Sequence, residues 1–274
     1  MKFGVQTFTV RRAQKKSIRD AYMPLIKLGI KSFEVARIDF NEKNAKEIKA
    51  LVDEFGIEIV SVQVKPKYVF GDPERIIEFC RITGCRRVVI SMLPFSSILG
   101  KEKKFYDFVE SLDPAFDVYA RQGITLAYHH HNWEYIKLSS GKTRMAELLA
   151  RTRSIRFVHD TYWTARCGVD PAYWTARCGV DPAVQIAEFG ERLVGIHLRD
   201  LTFTKRGIDV VGSDAAIGDG LIDFASVLNA AKKTACRYYV IEQKTDDPYT
   251  EIEKSFKNLE AIRSNIENKE RPYG

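Results

Sequence analysis

The sequence has no apolar run close to the roughly 20 residues needed to cross a bilayer, and its first residues lack the hydrophobic region of a signal peptide. Cysteine is also scarce. The five cysteines are scattered and odd in number, which excludes a regular disulfide framework or a zinc finger. We therefore expect free thiols, a cytoplasmic location and no membrane partner.

Two nucleotide-binding signatures are missing as well. No G-x-G-x-x-G follows the first predicted strand and no P-loop occurs, so the sequence predicts neither a dinucleotide site nor an NTP site. The net charge of +7 arises from 43 basic and 36 acidic residues. Because the basic residues are spread along predicted helices beside acidic ones, we interpret this excess as a solvated surface and expect no nucleic-acid partner.

Short apolar strands alternate with amphipathic helices eight times along the 274 residues. The predicted strands are Phe3–Phe8, Ser32–Ala36, Ile57–Val64, Arg87–Met92, Ile124–His130, Ile155–Asp160, Leu193–Leu198 and Tyr238–Gln243. Strand–helix alternation indicates a parallel sheet with right-handed crossovers. Eight units in a chain of this length favour a closed barrel, so we predict one (β/α)8 TIM barrel domain over residues 1–274.

One segment of eleven residues occurs twice in succession. Residues 162–172 and 173–183 both read Y-W-T-A-R-C-G-V-D-P-A. Solenoid repeats are longer and more divergent, so this is a local duplication and not a repeat architecture. The segment follows the sixth predicted strand, and we expect one copy to be an insertion in the sixth βα loop. Either copy can be the additional one.

All five histidines lie at the carboxyl ends of predicted strands, where (β/α)8 barrels carry their chemistry. They are His129, His130, His131, His159 and His197. Asp160 ends the sixth predicted strand, and Glu242 lies near the end of the eighth. Mixed histidine and carboxylate ligands suit Mn2+, Zn2+, Co2+ or Fe2+ better than Ca2+, and the sequence does not choose among them. We expect one divalent metal ion here.

The fifth strand ends in three successive histidines. Because side chains alternate along a strand, His129 and His131 point to one face and His130 points to the other, so at least one of the three is structural.

Further residues near the strand ends are candidate substrate contacts. They are Glu34, Lys65, Trp133, Trp163 and Arg199. Arg199 can bind a substrate oxygen or phosphate, or it can pair with Asp200. The tryptophans can form an apolar wall against a sugar face, although core packing is at least as good an explanation.

Ordered motifs over nearly the whole chain resemble the sugar phosphate isomerase/epimerase group of xylose-isomerase-like TIM barrels. G-V-Q-T-F-T-V-R at 4–11 is similar to the group's G-V-Q-L-Y-T-V-R opening, and Y-H-H-H-N-W-E-Y at 128–135 to its Y-H-N-H-x-x-E-F signature. H-D-T-Y-W at 159–163, H-L-R-D at 197–200 and G-D-G-L-I-D-F at 218–224 resemble its D-T-x-W, H-x-K-D and G-x-G-x-I-D-F segments.

This resemblance implies that Asp160, His197 and Glu242 are metal ligands and that Glu242 is also an acid/base group. In many relatives the fourth ligand is a glutamate at the position of His129, so either His129 or Glu134 is the fourth ligand here. The relatives also use two glutamates that exchange protons from opposite faces of the substrate. Here the partner of Glu242 is Glu134, a histidine such as His131, or a lysine.

The resemblance implies a divalent-metal-dependent isomerase or epimerase that acts on a keto sugar, sugar phosphate or polyol through an enediolate. The alternative is a dehydratase or lyase on a keto-inositol or 3-keto sugar. A non-catalytic sugar-binding barrel and an apurinic endonuclease relative are less favoured, since the endonuclease needs three metals and five histidines are too few. The expected partner is a small sugar or polyol. A homo-oligomer is compatible with the sequence, which shows no interface signature.

Overall fold

The protein, seen in a computed structural model that describes residues 1–167, 181–206 and 209–270, is built around eight parallel strands. These strands are β1 (Phe3–Gln6), β2 (Ser32–Ala36), β3 (Glu58–Val64), β4 (Arg87–Ile90), β5 (Thr125–His129), β6 (Arg156–Asp160), β7 (Leu193–Leu198) and β10 (Tyr238–Ile241). They close into a barrel in the order β1-β10-β7-β6-β5-β4-β3-β2. The predicted (β/α)8 barrel is confirmed.

All eight predicted strands are present, and β2 and β7 have the predicted bounds. Several of the others end one or two residues earlier than predicted. Glu242 lies just beyond the end of β10, and its backbone N–H still donates to the carbonyl of Leu198, at 3.1 Å.

Helices surround the barrel. They are α1 (Arg11–Gln14), α2 (Ile18–Lys27), α3 (Glu42–Phe55), α4 (Pro66–Gly71), α5 (Pro73–Thr83), α6 (Phe95–Leu99), α7 (Glu102–Ala120), α8 (Arg144–Arg151), α9 (Thr161–Arg166), α10 (Pro182–Phe189), α11 (Phe224–Ala231) and α12 (Pro248–Glu270). Two 3-10 turns lie at Trp133–Tyr135 and Gly190–Arg192. Among the residues that the structure describes, no helix combines the length and the hydrophobicity needed to span a membrane.

The core has two apolar layers. The larger layer lies between the strands and the helices. A smaller cluster fills the inside of the barrel with Val60, Val89, Ala127, Val158, Val194, Tyr238 and Val240. This inner layer closes the barrel below its mouth.

An antiparallel hairpin follows β7 and was not predicted from the strand pattern. It consists of β8 (Asp200–Arg206) and β9 (Asp209–Ala215). The buried carboxylate of Asp200 anchors the chain on either side of it, because it accepts backbone N–H groups from Leu201, Gly218 and Gly220 at 2.8–2.9 Å. The hairpin adds a polar wall at one side of the barrel mouth.

The structure describes the two ends of the duplicated segment, whereas residues 168–180 lie outside the described residues. In the first copy, Tyr162 and its neighbours continue directly from β6 as helix α9. In the second copy, Asp181 caps α10 by accepting the N–H of Ala183 at 2.8 Å. The insertion of one copy in the sixth βα loop therefore stays a prediction.

Gly195 of β7 lies directly against the ring of Tyr238 in β10, and a Cβ at this position would overlap that ring. Tyr238 is held in place because its hydroxyl donates to Glu34 at 3.0 Å. We expect Gly195→Ala to lower the free energy of unfolding by about 1–3 kcal/mol. Chemical denaturation measures this loss. Gly71→Ala is the control, because a Cβ there meets no atom within 4 Å. Equal stability of the two variants would contradict the close packing.

Candidate metal centre and the cavity above it

Four buried side chains converge at the carboxyl end of the barrel. His129 comes from β5, Asp160 from β6, His197 from β7, and Glu242 follows β10. One ligand atom of each residue lies within 4.8 Å of the ligand atoms of the other three. The structure thus brings together His129 and the three ligands that the resemblance implied.

The alternation of side chains explains why these residues share one site. Ala127, Val158 and Val240 belong to the apolar layer inside the barrel. Three of the four ligand residues lie two positions further along the same strands, so they point to the same inner face. The polar group is therefore one layer above the apolar floor, at the end of the barrel where active sites of this fold lie.

The distances show that the four side chains point toward one another. His129 Nε2 is 3.5 Å from Asp160 Oδ2, and His197 Nδ1 is 4.0 Å from the same oxygen. His197 Nδ1 is also 2.9 Å from Glu242 Oε2, although the two atoms are not aligned as a hydrogen bond. The buried atoms His129 Nε2, Asp160 Oδ2 and His197 Nδ1 have no hydrogen-bond partner among the described residues.

These observations fit one divalent cation. Buried polar atoms are seldom left unpaired, and a cation among these three would satisfy all of them together. Burial lowers the pKa of His129 to about 3, so its ring is neutral and offers a lone pair. Burial also acts to lower the pKa of His197, but Glu34 and Glu242 raise it to about 10. The carboxylates of Glu34 and Glu242 therefore favour a positive charge beside His197. A set of two imidazoles and two carboxylates also suits zinc and similar ions as ligands.

Glu34 lies beneath the four ligand residues and supports His197. Its Oε1 is 2.7 Å from His197 Nε2, and its other oxygen accepts bonds from Ser61 at 2.5 Å and from Tyr238 at 3.0 Å. Burial acts to raise the pKa of Glu34, but His197 and Ser61 bring it below its ordinary value. A carboxylate on the far nitrogen of a histidine fixes the ring and raises its basicity as a ligand. The structure does not place Glu34 on the cavity wall.

Asp160 has two structural contacts in addition to its free oxygen. Its Oδ1 accepts the N–H of Trp163 at 2.8 Å and caps α9, and its own N–H donates to His130 Nε2 at 3.0 Å. Burial raises the pKa of Asp160 to about 6, against the lowering effect of Arg199. Because His130 Nε2 accepts the backbone N–H of Asp160, the ring of His130 points away from the centre. His129 and His131 both line the cavity, as the alternation of side chains predicted.

A cavity of about 1590 Å³ opens above this centre. Six of the residues singled out from the sequence line it: Lys65, His129, His131, Trp163, Arg199 and Glu242. The structure does not bring Trp133 to this wall. That side chain packs against the hydrophobic core, and its carbonyl accepts a hydrogen bond from Arg144 at 3.1 Å.

Glu134 is buried apart from the four ligand residues. One of its oxygens accepts the hydroxyl of Tyr128, and the other accepts the backbone N–H of His131 at 2.8 Å. Burial raises the pKa of Glu134. The 3-10 turn at Trp133–Tyr135 turns the side chain back toward β5, so Glu134 holds the backbone of His131.

His131 places an imidazole beside the centre. Its ring centroid is 4.8 Å from that of His129 and 5.1 Å from that of Trp163. Its Nδ1 is buried and has no hydrogen-bond partner among the described residues. Burial lowers the pKa of His131 to about 3, so the ring is neutral and its free nitrogen can accept a hydrogen bond.

Arg199 forms an ion pair with Asp214 of β9, and not with Asp200. Its Nε is 2.5 Å from Asp214 Oδ1, and its Nη1 is 3.7 Å from Glu242 Oε1. The guanidinium carbon lies 4.1 Å from the ring centroid of Tyr162. Arg199 therefore sets a fixed positive charge beside Glu242.

Two residues of the site were not identified from the sequence. Gln6 donates a hydrogen bond to Glu242 Oε2 at 3.2 Å. It lies in the G-V-Q motif at the end of β1, and this motif was a sequence signal from which Gln6 could have been identified. Asp214 had no such signal, because it lies in the unpredicted hairpin.

Burial acts to raise the pKa of Glu242, but His197 and Arg199 hold it well below the ordinary value. Glu242 is thus an ionised carboxylate facing the cavity.

The fold and the four converging residues define a (β/α)8 barrel with a candidate metal centre at its carboxyl end. The chain belongs to the xylose isomerase-like TIM barrel family, whose model matches residues 25–265.

Solved structures agree with this assignment of the fold. A sugar phosphate isomerase/epimerase from Parabacteroides distasonis superposes with a TM-score of 0.73 at 19% identity, over 95% of this chain and 93% of that one. The zinc-bound IOLI protein superposes with a TM-score of 0.65 at 14% identity, over 100% of both chains. The probable 3-DHS dehydratase AsbF from Bacillus anthracis superposes with a TM-score of 0.64 at 12% identity, over 95% of this chain and 99% of that one. No curated protein matches the sequence.

Proposed function

We propose that the protein is a divalent-metal-dependent isomerase or epimerase that acts on a keto sugar or a related polyol by proton transfer. The observation that carries this proposal is the convergence of His129, Asp160, His197 and Glu242 below a large cavity, with unpaired ligand atoms among them. The likeness to an isomerase/epimerase and to a zinc-bound barrel supports it.

The four converging residues would hold the ion, and Glu34 would orient His197. A bound divalent cation supplies a Lewis acid that polarises a carbonyl and makes the neighbouring C–H more acidic. His129 and Glu242 line the cavity and therefore face the substrate as well.

Glu242 is the proposed base that removes a proton from the carbon beside the carbonyl. Its low pKa keeps it ionised, and Gln6 holds Oε2 by a hydrogen bond of 3.2 Å. The other oxygen, Oε1, lies 3.7 Å from Arg199, which stabilises the charge of the carboxylate. A positioned carboxylate of this kind typically accelerates proton transfer by about 10²–10⁴-fold.

His131 is the proposed second polar group that contacts the substrate. It comes from the β5 side of the mouth, three strands around the barrel from β10, which precedes Glu242. Its buried Nδ1 has no partner among the described residues and is free to accept a hydrogen bond from a substrate hydroxyl. Glu134 then acts as a positioning residue, because it holds the His131 backbone at 2.8 Å.

The walls of the cavity would orient the sugar. Trp163 offers an apolar face beside His131, and Arg199 offers a guanidinium beside Glu242. Lys65 lies further out, at the exposed start of α4. A sugar ring can stack on the tryptophan while its oxygens reach the charged groups.

A dehydratase is the second candidate. The observation in its favour is the asymmetry of the site, since Glu242 is paired with an imidazole where many relatives have a second glutamate. A single carboxylate that removes a proton from carbon and then gives it to a departing hydroxyl would eliminate water without a second carboxylate. The likeness to AsbF supports this alternative.

The test begins with elemental analysis of the purified protein, for which we expect one divalent ion per chain. The metal-loaded protein is then incubated in D2O with a panel of ketoses and inososes, and NMR and mass spectrometry follow the substrates. Deuterium at the carbon beside the carbonyl, lost after chelation of the metal, supports the isomerase. Loss of water identifies the dehydratase. A protein that binds no metal and exchanges no proton would contradict both.

A further inference from the structure

The wall of the cavity carries an excess of positive charge. Its basic residues include Arg11, Arg37, Lys65, Lys67, Arg166 and Lys244, and none of these six has a carboxylate within 4 Å in the part of the chain that the structure describes. By contrast, two further arginines of the wall are paired, Arg75 with Asp39 at 3.0 Å and Arg199 with Asp214 at 2.5 Å. Unpaired cations gathered around a concave site attract anions.

Two of these arginines are held together by one aromatic ring. The guanidinium carbon of Arg11 lies 4.0 Å from the centroid of Phe8, and that of Arg37 lies 5.4 Å from the same centroid. Arg11 also donates to the carbonyl of Phe8 at 2.9 Å. The two cation–π contacts place both guanidinium groups near one point of the wall despite their equal charge, and the hydrogen bond further restricts Arg11.

Arg37 has a backbone conformation that arginine seldom adopts. Its φ is +59°, and it is the one non-glycine residue with a positive φ among the described residues. The strain of the left-handed region falls on a residue just after β2, whose side chain is exposed on the cavity wall. Glycine would adopt this backbone without strain. Strained residues of this kind cluster at functional sites, which indicates that the side chain has a purpose here.

The backbone of Phe8 is linked to the candidate metal centre through the side chain of Gln6. The backbone N–H of Phe8 donates to Gln6 Oε1 at 2.5 Å, and Gln6 Nε2 donates to Glu242 Oε2 at 3.2 Å. Burial and the neighbouring cations, Arg37 among them, lower the pKa of Arg11. The positive charge of the arginine pair therefore adjoins the proposed proton-transfer group and is not fully neutralised.

We propose that Arg11 and Arg37 form a subsite for an anionic group, phosphate or carboxylate, on the end of the substrate distant from its reacting carbonyl. This inference rests on the proposed function, because it assigns the substrate class of the same cavity. Guanidinium groups bind both anions through paired hydrogen bonds, and two of them can engage one anion from two directions. The preferred substrate is then an acidic or phosphorylated ketose and not a neutral one.

Three matched probes test this proposal by titration calorimetry at low ionic strength: D-fructose, D-fructose 6-phosphate and D-fructuronate. They differ at the terminal carbon, which carries a hydroxyl, a phosphate or a carboxylate. We expect at least one anionic probe to bind about tenfold or more tightly than fructose. The anion that binds more tightly identifies the group that the subsite accepts.

The variants are Arg11→Gln and Arg37→Gly. Each variant should bind the anionic probe about tenfold more weakly than the wild type, whereas its affinity for fructose should stay within about twofold. Arg37→Gly should also keep or raise the melting temperature, because glycine accepts a φ of +59°, so a loss of binding there is not a loss of folding. The matched control is Arg12→Gln. It removes the same charge at the adjacent position, from an exposed side chain that is paired with Asp246.

Equal affinity for the three probes, no binding of either anionic probe, or an equal loss in Arg12→Gln would each overturn the subsite. Because binding is measured without turnover, its failure is distinct from failure of the isomerase proposal. Deuterium exchange on neutral ketoses without anion preference would reject the subsite alone. Tight anion binding that depends on the two arginines, without exchange or metal, would reject the isomerase alone.

Discussion

Asp160→Asn is expected to weaken divalent-metal binding by about 100-fold or more while the barrel stays folded. Asp160 Oδ2 is buried and unpaired at the centre of the four ligand residues, whereas Oδ1 caps α9 through the N–H of Trp163. Asparagine keeps a capping oxygen but removes the charge that a cation requires. Changing groups that only support a metal ligand typically weakens binding by about 10–100-fold, so the loss of a ligand should exceed this range.

Metal titration and thermal unfolding measure this effect together. At a metal concentration about 100 times its Kd, binding should stabilise the wild-type protein by about 2.7 kcal/mol, and the variant should lose this gain. Asp223→Asn is the matched control, since Asp223 is an exposed cap of α11 that accepts the N–H groups of Ala225 and Ser226. If Asp160→Asn kept wild-type metal affinity, the proposed centre would be wrong.

Glu242→Gln is expected to reduce proton exchange by about 10²–10⁴-fold. Glutamine preserves the shape of the side chain and its contact with Gln6, but it cannot remove a proton from carbon. The measurement is the rate of deuterium uptake by the substrate at saturating metal, with the bound metal quantified in the same sample. This separates a lost base from a lost ligand.

The control for this change is Glu54→Gln, which alters an exposed glutamate paired with Arg19 at 2.7 Å. Its exchange rate should equal that of the wild type. A Glu242→Gln protein that binds metal and retains exchange within about tenfold would assign the proton transfer to another group.

The barrel and the strand-end positions of the candidate ligands could be predicted from periodicity, whereas the family resemblance implied that Asp160, His197 and Glu242 are ligands. Alternation of strands and helices gave the fold, and the inward positions at the ends of β5, β6 and β7 carried His129, Asp160 and His197. Neither signal depends on distant parts of the chain. The fourth ligand stayed open between His129 and Glu134, because the two are close in sequence and only the turn at Trp133–Tyr135 decides which side chain faces inward.

What could not be predicted depends on contacts between distant segments. Asp214 reaches Arg199 only because the β8–β9 hairpin folds over the mouth, and no strand of the barrel pairs with it. The two arginines around Phe8 lie in α1 and directly after β2, and these segments meet only in the closed barrel. The interpretation of the positive charge as a solvated surface holds for helix pairs such as Lys49–Asp53 but not for the cavity wall.

Helices α9 and α10 each begin after a capping aspartate, Asp160 and Asp181, and the duplicated segment supplies only the second of these caps. Since the copies are identical, excision of either one yields the same shorter protein, which still begins α9 after Asp160 and still begins α10 with aspartate and proline. The two helices already touch through Thr164 and Gln185 at 2.9 Å. We therefore expect a protein that lacks either copy to keep the four candidate metal ligands, because all of them lie outside the duplicated residues.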